Sequence, residues 1–355
     1  RIALLLPLQL DQSANKSVPL RMVDAEALAA LEFYEGALLA FDSLKQAGLR
    51  TELYLFDTGK SAQTLRQTLN LAEMQRMDLI IGPFFSDMLP MASDFSRQHR
   101  IPLAVPTLPI HREEFLNNPY LIAVNPEPTR AVRTAFQQMA SLPDSRVTLV
   151  INPDETSTHN YRLYTQLLEE TLPGRFHTVS GTAPQSAIAE GKQNLFIIPS
   201  TDEGFVSRTL ASLNLAAKTH NITVFAPPSW NQFETIDLDY FHNVQYRYWS
   251  GFSIDYNKPE TQSFLRNFQQ AFRSEPYRKI EGSLNYGFLG YDLSLFLGSA
   301  LLYYGNEITE RLPGHTAAFT QTAFSFGRSR EGALVNSRIY LITFARDLTL
   351  HTTSL

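Results

Sequence analysis

The segment DLIIGPFFSDMLPMASDFSRQHRIPLAVP, residues 78–106, decides the fold class. Two apolar runs, LIIG and PLAVP, enclose a helical segment, and the first run ends in a Gly-Pro turn followed by Ser86. Continuous apolar runs of this length are typical of strands that are buried on both faces, as in parallel sheets covered by helices. The segment therefore predicts a strand–helix–strand unit, with residues 82–86 at the carboxyl end of the first strand. In open parallel sheets, ligands bind beyond such strand ends.

Strands and helices alternate through the first third of the chain. We predict strands at residues 2–6, 52–56, 78–81 and 102–105, and helices at about residues 22–46, 62–77 and 86–99. Four strands joined by helices predict a parallel sheet covered on both faces. Near residues 119–129 the pattern changes to a short strand and a proline-rich turn, which indicates a first crossing into a second lobe.

A second alternating series follows this crossing. It has predicted strands at residues 147–151, 176–180, 194–198 and 222–225, and predicted helices at about residues 129–141, 160–170 and 202–218. The aromatic segment QYRYWSGFSID, residues 245–255, predicts a second crossing, and helices at about residues 261–274 and 285–304 return the chain to the first lobe. A glycine-containing turn at residues 327–332 precedes SRIYLITF, whose alternation predicts a terminal strand or hairpin and a third crossing.

These patterns predict an α/β fold of two Rossmann-like lobes, with parallel sheets flanked by helices and three crossover segments. We assign residues 1–125 and 253–328 to lobe 1, and residues 126–252 and 329–355 to lobe 2. The length of 355 residues supports two domains, because single cores rarely grow this large.

Composition and charge exclude several classes of function. The chain is 44% hydrophobic and 18% charged, which is typical of a globular protein. A net charge of −5, with lysine and arginine scattered along the chain, argues against a nucleic-acid partner. No apolar run reaches the roughly 18 residues of a membrane span. The absence of cysteine removes disulfides, cysteine-bound zinc and thiol nucleophiles.

The sequence contains no motif for catalysis, a cofactor or a metal. The eight histidines are spread out, and HExxH, GxSxG, GxGxxG and the Walker pattern are all missing. DTGKS, residues 57–61, lacks the upstream glycine of a phosphate-binding loop, so we interpret it as the start of a helix. We expect a protein that is not an enzyme and has neither a cofactor nor a metal site. The chain begins at Arg1 on a strand-like run without a signal-peptide pattern, so we expect an excised domain whose export signal or anchor lies elsewhere.

Seven segments in order carry a resemblance to a known family. IALLLPL, EGALLAFDSLKQAG, YLFDT, IIGPFFS, IPLAVP, YLIAVNPEP and GYDLSLFLGSALL together resemble the type I periplasmic-binding-protein family, especially its Leu/Ile/Val-binding branch. The resemblance implies a Venus-flytrap arrangement, with a ligand in a cleft between two lobes and hinge closure around it. It also implies a periplasmic location and delivery to an ABC permease. In detail the chain is most similar to copies in LysM-associated envelope lipoproteins, which implies an envelope anchor.

The resemblance implies ligand contacts in the first lobe. Relatives hold a ligand carboxylate with the serine that matches Ser86, although a serine here also suits an ordinary helix N-cap. The next family position is a loop that receives the ligand ammonium, here VPTLPIHREEF. Only Thr107 survives of its hydroxyl residues, and prolines flank it, which departs from the pattern for an α-amino acid. Phe84 and Phe85 suit either an apolar wall for a ligand or core packing.

In the second lobe, Tyr161 is nearest to the aromatic position of relatives, although a packing tyrosine is the alternative. Other strand-end residues that we expect to face the cleft are Ser200, Thr201, Ser229 and Trp230. The acidic residues available to balance an ammonium group are Asp202, Glu203 and Glu234, each of which also suits an ordinary surface carboxylate. Hinge positions are expected at Asn125, Pro126, Ser250 and Gly251.

Two functional hypotheses follow from these observations. The first is an extracytoplasmic solute-binding protein that holds an amino acid or a related compound for ABC-type uptake or sensing. The second is a ligand-free envelope module that uses the same scaffold to bind a protein or a cell-wall enzyme. The second is motivated by the altered ammonium loop and by Tyr246, Tyr248 and Trp249, aromatic residues expected at the surface.

Overall fold

The computed structural model describes residues 1–10, 24–107, 117–142, 144–277, 279–280, 284–315, 317–318, 320 and 323–355. Its contacts divide the chain into two compact units. Unit 1 comprises Arg1–Glu127 and Ile254–Arg338, and unit 2 comprises Pro128–Ser253 and Ile339–Leu355. The chain therefore passes from one unit to the other three times.

Unit 1 contains a seven-stranded sheet whose spatial order is β15-β16-β5-β4-β3-β1-β2. Its strands are β1 Ile2–Leu6, β2 Leu53–Asp57, β3 Leu79–Ile81, β4 Leu103–Val105, β5 Leu121–Ala123, β15 Phe326–Arg328 and β16 Leu334–Asn336. All neighbours are parallel except β15, which is antiparallel to β16. Every residue of β1, β3, β4 and β5 is buried, which explains their continuous apolar runs.

The helices of unit 1 are α1 Ala25–Gln46, α2 Ala62–Leu69, α3 Leu89–His99, α8 Pro259–Phe272, α9 Tyr286–Tyr304 and α10 Ile308–Arg311. Helix α1 begins after Asp24, whose carboxylate accepts a hydrogen bond from the Glu26 N–H at 2.9 Å. Two short antiparallel pairs, β11 Lys279–Ile280 with β12 Leu284–Asn285 and β13 Ala317–Ala318 with β14 Ala323–Phe324, complete the unit.

Unit 2 contains a second seven-stranded sheet, in the order β18-β17-β10-β9-β8-β6-β7. Its strands are β6 Ser145–Ile151, β7 Phe176–Ser180, β8 Gln193–Ile197, β9 Asn221–Phe225, β10 Arg247–Ser250, β17 Tyr340–Phe344 and β18 Leu350–Ser354. Strands β6 to β10 are parallel, whereas β17 is antiparallel to both of its neighbours. The helices of this unit are α4 Pro128–Ala140, α5 His159–Thr171, α6 Glu203–Ala216 and α7 Leu238–Asn243.

The predicted fold class, two mostly parallel sheets flanked by helices, is confirmed. The third crossing differs from the sequence assignment, because residues 329–338 belong to unit 1 rather than to the second lobe. The reason is that β16 pairs with β5 in parallel, and Asn336 Nδ2 donates to the Val124 carbonyl at 3.0 Å.

Three elements also differ from the sequence prediction. The helix expected to continue to Met77 ends at Leu69 and is followed by a 3₁₀ turn at Met74–Arg76. The segment interpreted only as a crossing contains strand β10. The helix expected from Ser86 begins at Leu89, after a 3₁₀ turn at Ser86–Met88. Met22 and Val23, at the expected start of α1, lie outside the described residues.

Candidate functional site

The loops that follow β1 to β5 leave the unit 1 sheet at one edge, because these five strands are parallel. The loop after β3 turns at Gly82, whose φ of +116° lies in a region that favours glycine. A Cβ at this position would lie 2.6 Å from the Leu5 carbonyl oxygen. The following peptide bond, to Pro83, is cis. Glycine is therefore required for the path that leads into Phe84, Phe85 and Ser86.

Phe84 and Phe85 pack within unit 1. Phe84 is 7% exposed, and its ring makes an edge contact with Phe33 at 5.1 Å between ring centroids. Phe85 is half-buried against the apolar cluster beneath α2 and α3, and Lys60 Nζ lies 5.9 Å from the centre of its ring. Phe84 thus follows the core-packing alternative, while Phe85 keeps part of its ring at the surface.

Ser86 lies exposed at the start of the 3₁₀ turn that precedes α3. Its hydroxyl makes no hydrogen bond with any residue that the structure describes, and the N-cap position of α3 is occupied by Met88. The N-cap alternative for Ser86 is therefore wrong, because the 3₁₀ turn moves the helix start three residues along the chain. The Ser86 hydroxyl is available to an external partner.

Thr107 links the ends of β3, β4 and β5. Its hydroxyl donates to the Phe84 carbonyl at 3.3 Å, and its own carbonyl accepts from Asn125 Nδ2 at 2.8 Å. Asn125, a predicted hinge residue, thus ties the segment after β5 to the loop after β4. The rest of the VPTLPIHREEF loop, from residue 108, lies outside the described residues.

The sequence analysis missed the part that Asp57 plays at this edge. Its carboxylate accepts backbone hydrogen bonds from Gln9 at 3.0 Å, from Leu10 at 2.7 Å and from Gly59 at 2.9 Å. The loops after β1 and β2 are therefore held by one side chain. The position of this aspartate at the end of YLFD, followed by Thr-Gly, was the available signal.

DTGKS starts a helix, as the sequence predicts: Ser61 caps α2 by accepting from the Thr64 N–H at 3.2 Å. Lys60 lies 3.0 Å from Asp24 Oδ2 and 2.5 Å from Glu26 Oε2. Hydrogen bonds to Glu26 and Asp24 raise the pKa of Lys60, and the bond from Lys60 lowers the pKa of Asp24. Lys60, Asp24 and Glu26 thus form an ion-pair cluster beside Phe85.

Unit 2 has a polar network at the ends of β6 and β8. Asn152 Nδ2 donates to Glu155 Oε2 at 2.9 Å and to the Ser200 hydroxyl at 3.3 Å. Glu155 Oε1 accepts from the Thr201 N–H at 3.1 Å and from its hydroxyl at 3.0 Å. The polar atoms of Ser200 and Thr201 are thus paired inside the unit. The sequence analysis did not identify Asn152 or Glu155, although Asn152 directly follows β6 and Glu155 lies in the short turn after it.

Trp230, which the sequence predicted to face a cleft, lies in the core of unit 2 and is fully buried. Its indole N–H donates to the Ser200 carbonyl at 2.8 Å, and its ring stacks on Tyr246 at 5.3 Å. The short turn Pro228–Gln232 directs the side chain inward. Ser229, in the same turn, has a buried hydroxyl without a partner among the described residues.

The acidic candidates serve local structure. Asp202 caps α6 by accepting from the Phe205 N–H at 2.7 Å. Glu203 accepts from the Thr235 N–H and hydroxyl, both at 2.7 Å, and these bonds lower the pKa of Glu203. Glu234 is exposed, and Tyr161 is half-buried near the start of α5. Asp202 and Glu203 thus have partners within unit 2.

The described part of the chain holds neither a cluster of metal-binding side chains nor a helix that could span a membrane. There, no three histidine, aspartate or glutamate side chains lie close enough together to hold a metal ion. In the same ranges, no helix combines the length and the apolar character that a membrane crossing needs.

Comparisons with known proteins identify the fold. No protein-family model and no curated protein sequence matches the chain. Solved structures do match, over nearly the whole length. A branched chain amino acid ABC transporter periplasmic ligand-binding protein from Burkholderia xenovorans is 13% identical with a TM-score of 0.65, and the match covers 100% of this chain and 94% of that one.

Two other structures agree with this result. An ABC transporter substrate-binding protein from Sphaerobacter thermophilus is 17% identical with a TM-score of 0.59, covering 100% of this chain and 96% of that one. One from Desulfitobacterium hafniense, in complex with Leu, is 15% identical with a TM-score of 0.56, covering 99% of each chain. The chain therefore has the type I periplasmic-binding-protein fold.

Proposed function

We propose that this chain is an extracytoplasmic solute-binding protein that captures a small molecule, an amino acid or a related compound, for ABC-type uptake or sensing. The observation that carries the proposal is the exposed Ser86 hydroxyl, which has no partner among the described residues and lies at the carboxyl end of β3 just before α3. Ligands of open parallel sheets bind at this edge. The fold shared with substrate-binding proteins supports the same role.

The chemistry of this edge suits a ligand with an anionic group. Ser86 offers a hydroxyl donor, and Thr107 lies at the end of the neighbouring strand. We propose that these residues orient the ligand and that the exposed part of Phe85 contacts its apolar side. Within unit 2, we propose Tyr161 and Thr201 as ligand contacts, with Ser200 positioning Thr201 through the network with Asn152.

We further propose that ligand binding is coupled to movement at the crossings. Asn125 and Pro126 directly precede the first crossing, and Ser250 and Gly251 precede the second. The Ser250 hydroxyl donates to the Phe252 carbonyl at 2.7 Å, which shapes the exit from β10. A periplasmic location, an envelope anchor and an ABC permease as partner belong to the same proposal.

The alternative function, a ligand-free interaction module, depended in part on aromatic residues expected at the surface. Tyr246 is fully buried and Tyr248 is 7% exposed, so they do not form the aromatic surface that was expected. Trp249 is half-buried against the cluster on the opposite face of the sheet. The aromatic alternation of β10 reflects burial on both faces, because helices cover the sheet there.

A thermal-shift experiment tests the proposal. Ligand at one hundred times its Kd stabilises the folded state by about 2.7 kcal/mol. The test panel contains amino acids, peptides and cell-wall fragments at millimolar concentration. We expect at least one compound to raise Tm by several degrees. A panel without any such compound would contradict the proposed function.

The variant Ser86→Ala tests whether the compound binds at Ser86. Loss of a hydrogen bond to a charged group costs about 1.5–3 kcal/mol, so we expect affinity for the hit compound to fall roughly ten- to a hundredfold in calorimetry. Ser43→Ala is the matched control, because Ser43 is exposed on α1, away from the strand ends, and its hydroxyl donates to the Leu39 carbonyl within that helix. If the two variants bound the compound with equal affinity, Ser86 would not be a ligand contact.

A further inference from the structure

The outer edge of unit 2's sheet is formed by β18. Among the described residues this strand pairs only with β17, and all five of its residues, Leu350–Ser354, are exposed. Proteins usually protect such an edge with charged residues, proline or a bulge, because its backbone groups can pair with another strand. The sequence LHTTS contains no lysine, acidic residue or proline.

The register shows which backbone groups point outward. The Ala345 N–H donates to the Thr349 carbonyl at 2.9 Å, and the Leu355 N–H donates to the Ile339 carbonyl at 2.8 Å. Hydrogen-bonded pairs alternate with non-bonded pairs along an antiparallel ladder. The pairs 341/353 and 343/351 are therefore the bonded ones. It follows that Leu350 and Thr352 direct their N–H and C=O groups away from β17.

This pattern is self-complementary about Thr352. When two copies of β18 align antiparallel with Thr352 opposite Thr352, the two outward N–H groups meet the two outward carbonyls. Their side chains then form a threonine pair, one of the cross-strand pairs that stabilise sheets. Leu350 lies opposite Ser354 in this register, and His351 opposite Thr353. No like charges face each other in any of these pairs.

We propose that β18 is a self-association edge, which joins two copies of this chain about a two-fold axis through Thr352. Identical strands that pair in this way form a closed, isologous contact, and the two seven-stranded sheets become one of fourteen strands. A single pair of five-residue strands buries far less than the roughly 1,200 Å² of a stable interface. The dimer is therefore weak and depends on concentration.

Cysteine cross-linking tests the register, because the chain has no cysteine of its own. In a bonded pair the Cα atoms of residue 352 are about 5.5 Å apart, within the range of a disulfide. The Cα atoms of residue 353 would be about 8 Å apart, since the two positions are offset by two residues along the strands, and this exceeds the range. We expect Thr352→Cys to form disulfide dimers at least tenfold faster than Thr353→Cys. Equal rates, or no dimer with either variant, would overturn the proposal.

Sedimentation velocity over a concentration series provides the second test. Thr352→Pro removes an outward donor and no bond to β17, so the strand should persist. Thr352→Val is the matched control, since both variants lose the Thr352 side-chain contact with the Ser253 hydroxyl at 2.9 Å. We expect the native chain and Thr352→Val to dimerise, and Thr352→Pro to remain monomeric with the same Tm as Thr352→Val. A native chain that stays monomeric up to millimolar concentration, or a proline variant that still dimerises, would contradict the proposal.

Discussion

Trp230 shows how a side chain that follows a strand can stabilise the fold instead of binding a ligand. Its N–H satisfies the carbonyl of Ser200, a residue that is 4% exposed. Trp230→Phe leaves that carbonyl without its donor, so we expect the free energy of unfolding to fall by about 1–3 kcal/mol in urea denaturation. Trp249→Phe is the matched control, because Trp249 is half-buried and makes no hydrogen bond to a described residue. Equal losses in the two variants would show that ring size alone matters.

The sequence placed most candidate residues at the correct strand ends, but it could not show where their side chains point. Ser86 follows a buried strand and a Gly-Pro turn, and both features are visible in the sequence. The inward direction of Trp230 depends on a 3₁₀ turn after two prolines, which residue periodicity does not encode. The pairing of Thr201 with Glu155 joins residues 46 positions apart, so no local pattern indicates it.

At the scale of elements, α1 and α9 approach each other closely enough for their backbones to touch. A Cβ on Gly290 would lie 2.0 Å from the Phe33 carbonyl oxygen, so Gly290→Ala must separate the helices. We expect a loss of about 3 kcal/mol or more in the free energy of unfolding, even though alanine favours helices by about 1 kcal/mol. Gly298→Ala is the control, because its nearest atom is the movable Leu44 Cδ1. A loss for Gly290→Ala no larger than the control's would contradict this account.

The sequence predicted the type of an element correctly wherever the pattern of apolar residues matches the pattern of buried residues in that element. The apolar runs of β1, β3 and β4 are buried throughout, so their strands were predictable. The prediction that helix α2 reaches Met77 was wrong. Met74 and Met77 are buried, so the apolar pattern continues after the α-helix has ended at Leu69. The third crossing was misplaced because β16 completes the unit 1 sheet by pairing with β5, a partner more than 200 residues earlier in the chain.

At the scale of the whole molecule, neither unit is continuous in sequence. Unit 2 is completed by β17, which brings the buried side chains Leu341, Ile342 and Phe344 against its core. All segments of unit 1, in contrast, are complete by Arg338. A chain truncated after Arg338 should therefore lose amide protection in unit 2, because β10 loses its antiparallel partner β17 and Tyr246 and Tyr248 lose the Phe344 ring. We expect hydrogen exchange to show protection retained in β1, β3 and β4.

A second truncation separates the contribution of β17 from that of β18. Removal of residues 350–355 deletes a fully exposed strand and Leu355, so apart from that one packing residue the core of unit 2 remains covered. We expect this shorter truncation to keep amide protection in β8 and β9 within about tenfold of the full chain, since few buried contacts are lost. Loss of protection in both units after the longer truncation would show instead that unit 1 requires unit 2 for its stability. The contact boundaries at residues 253 and 338 would then not mark independent folding units.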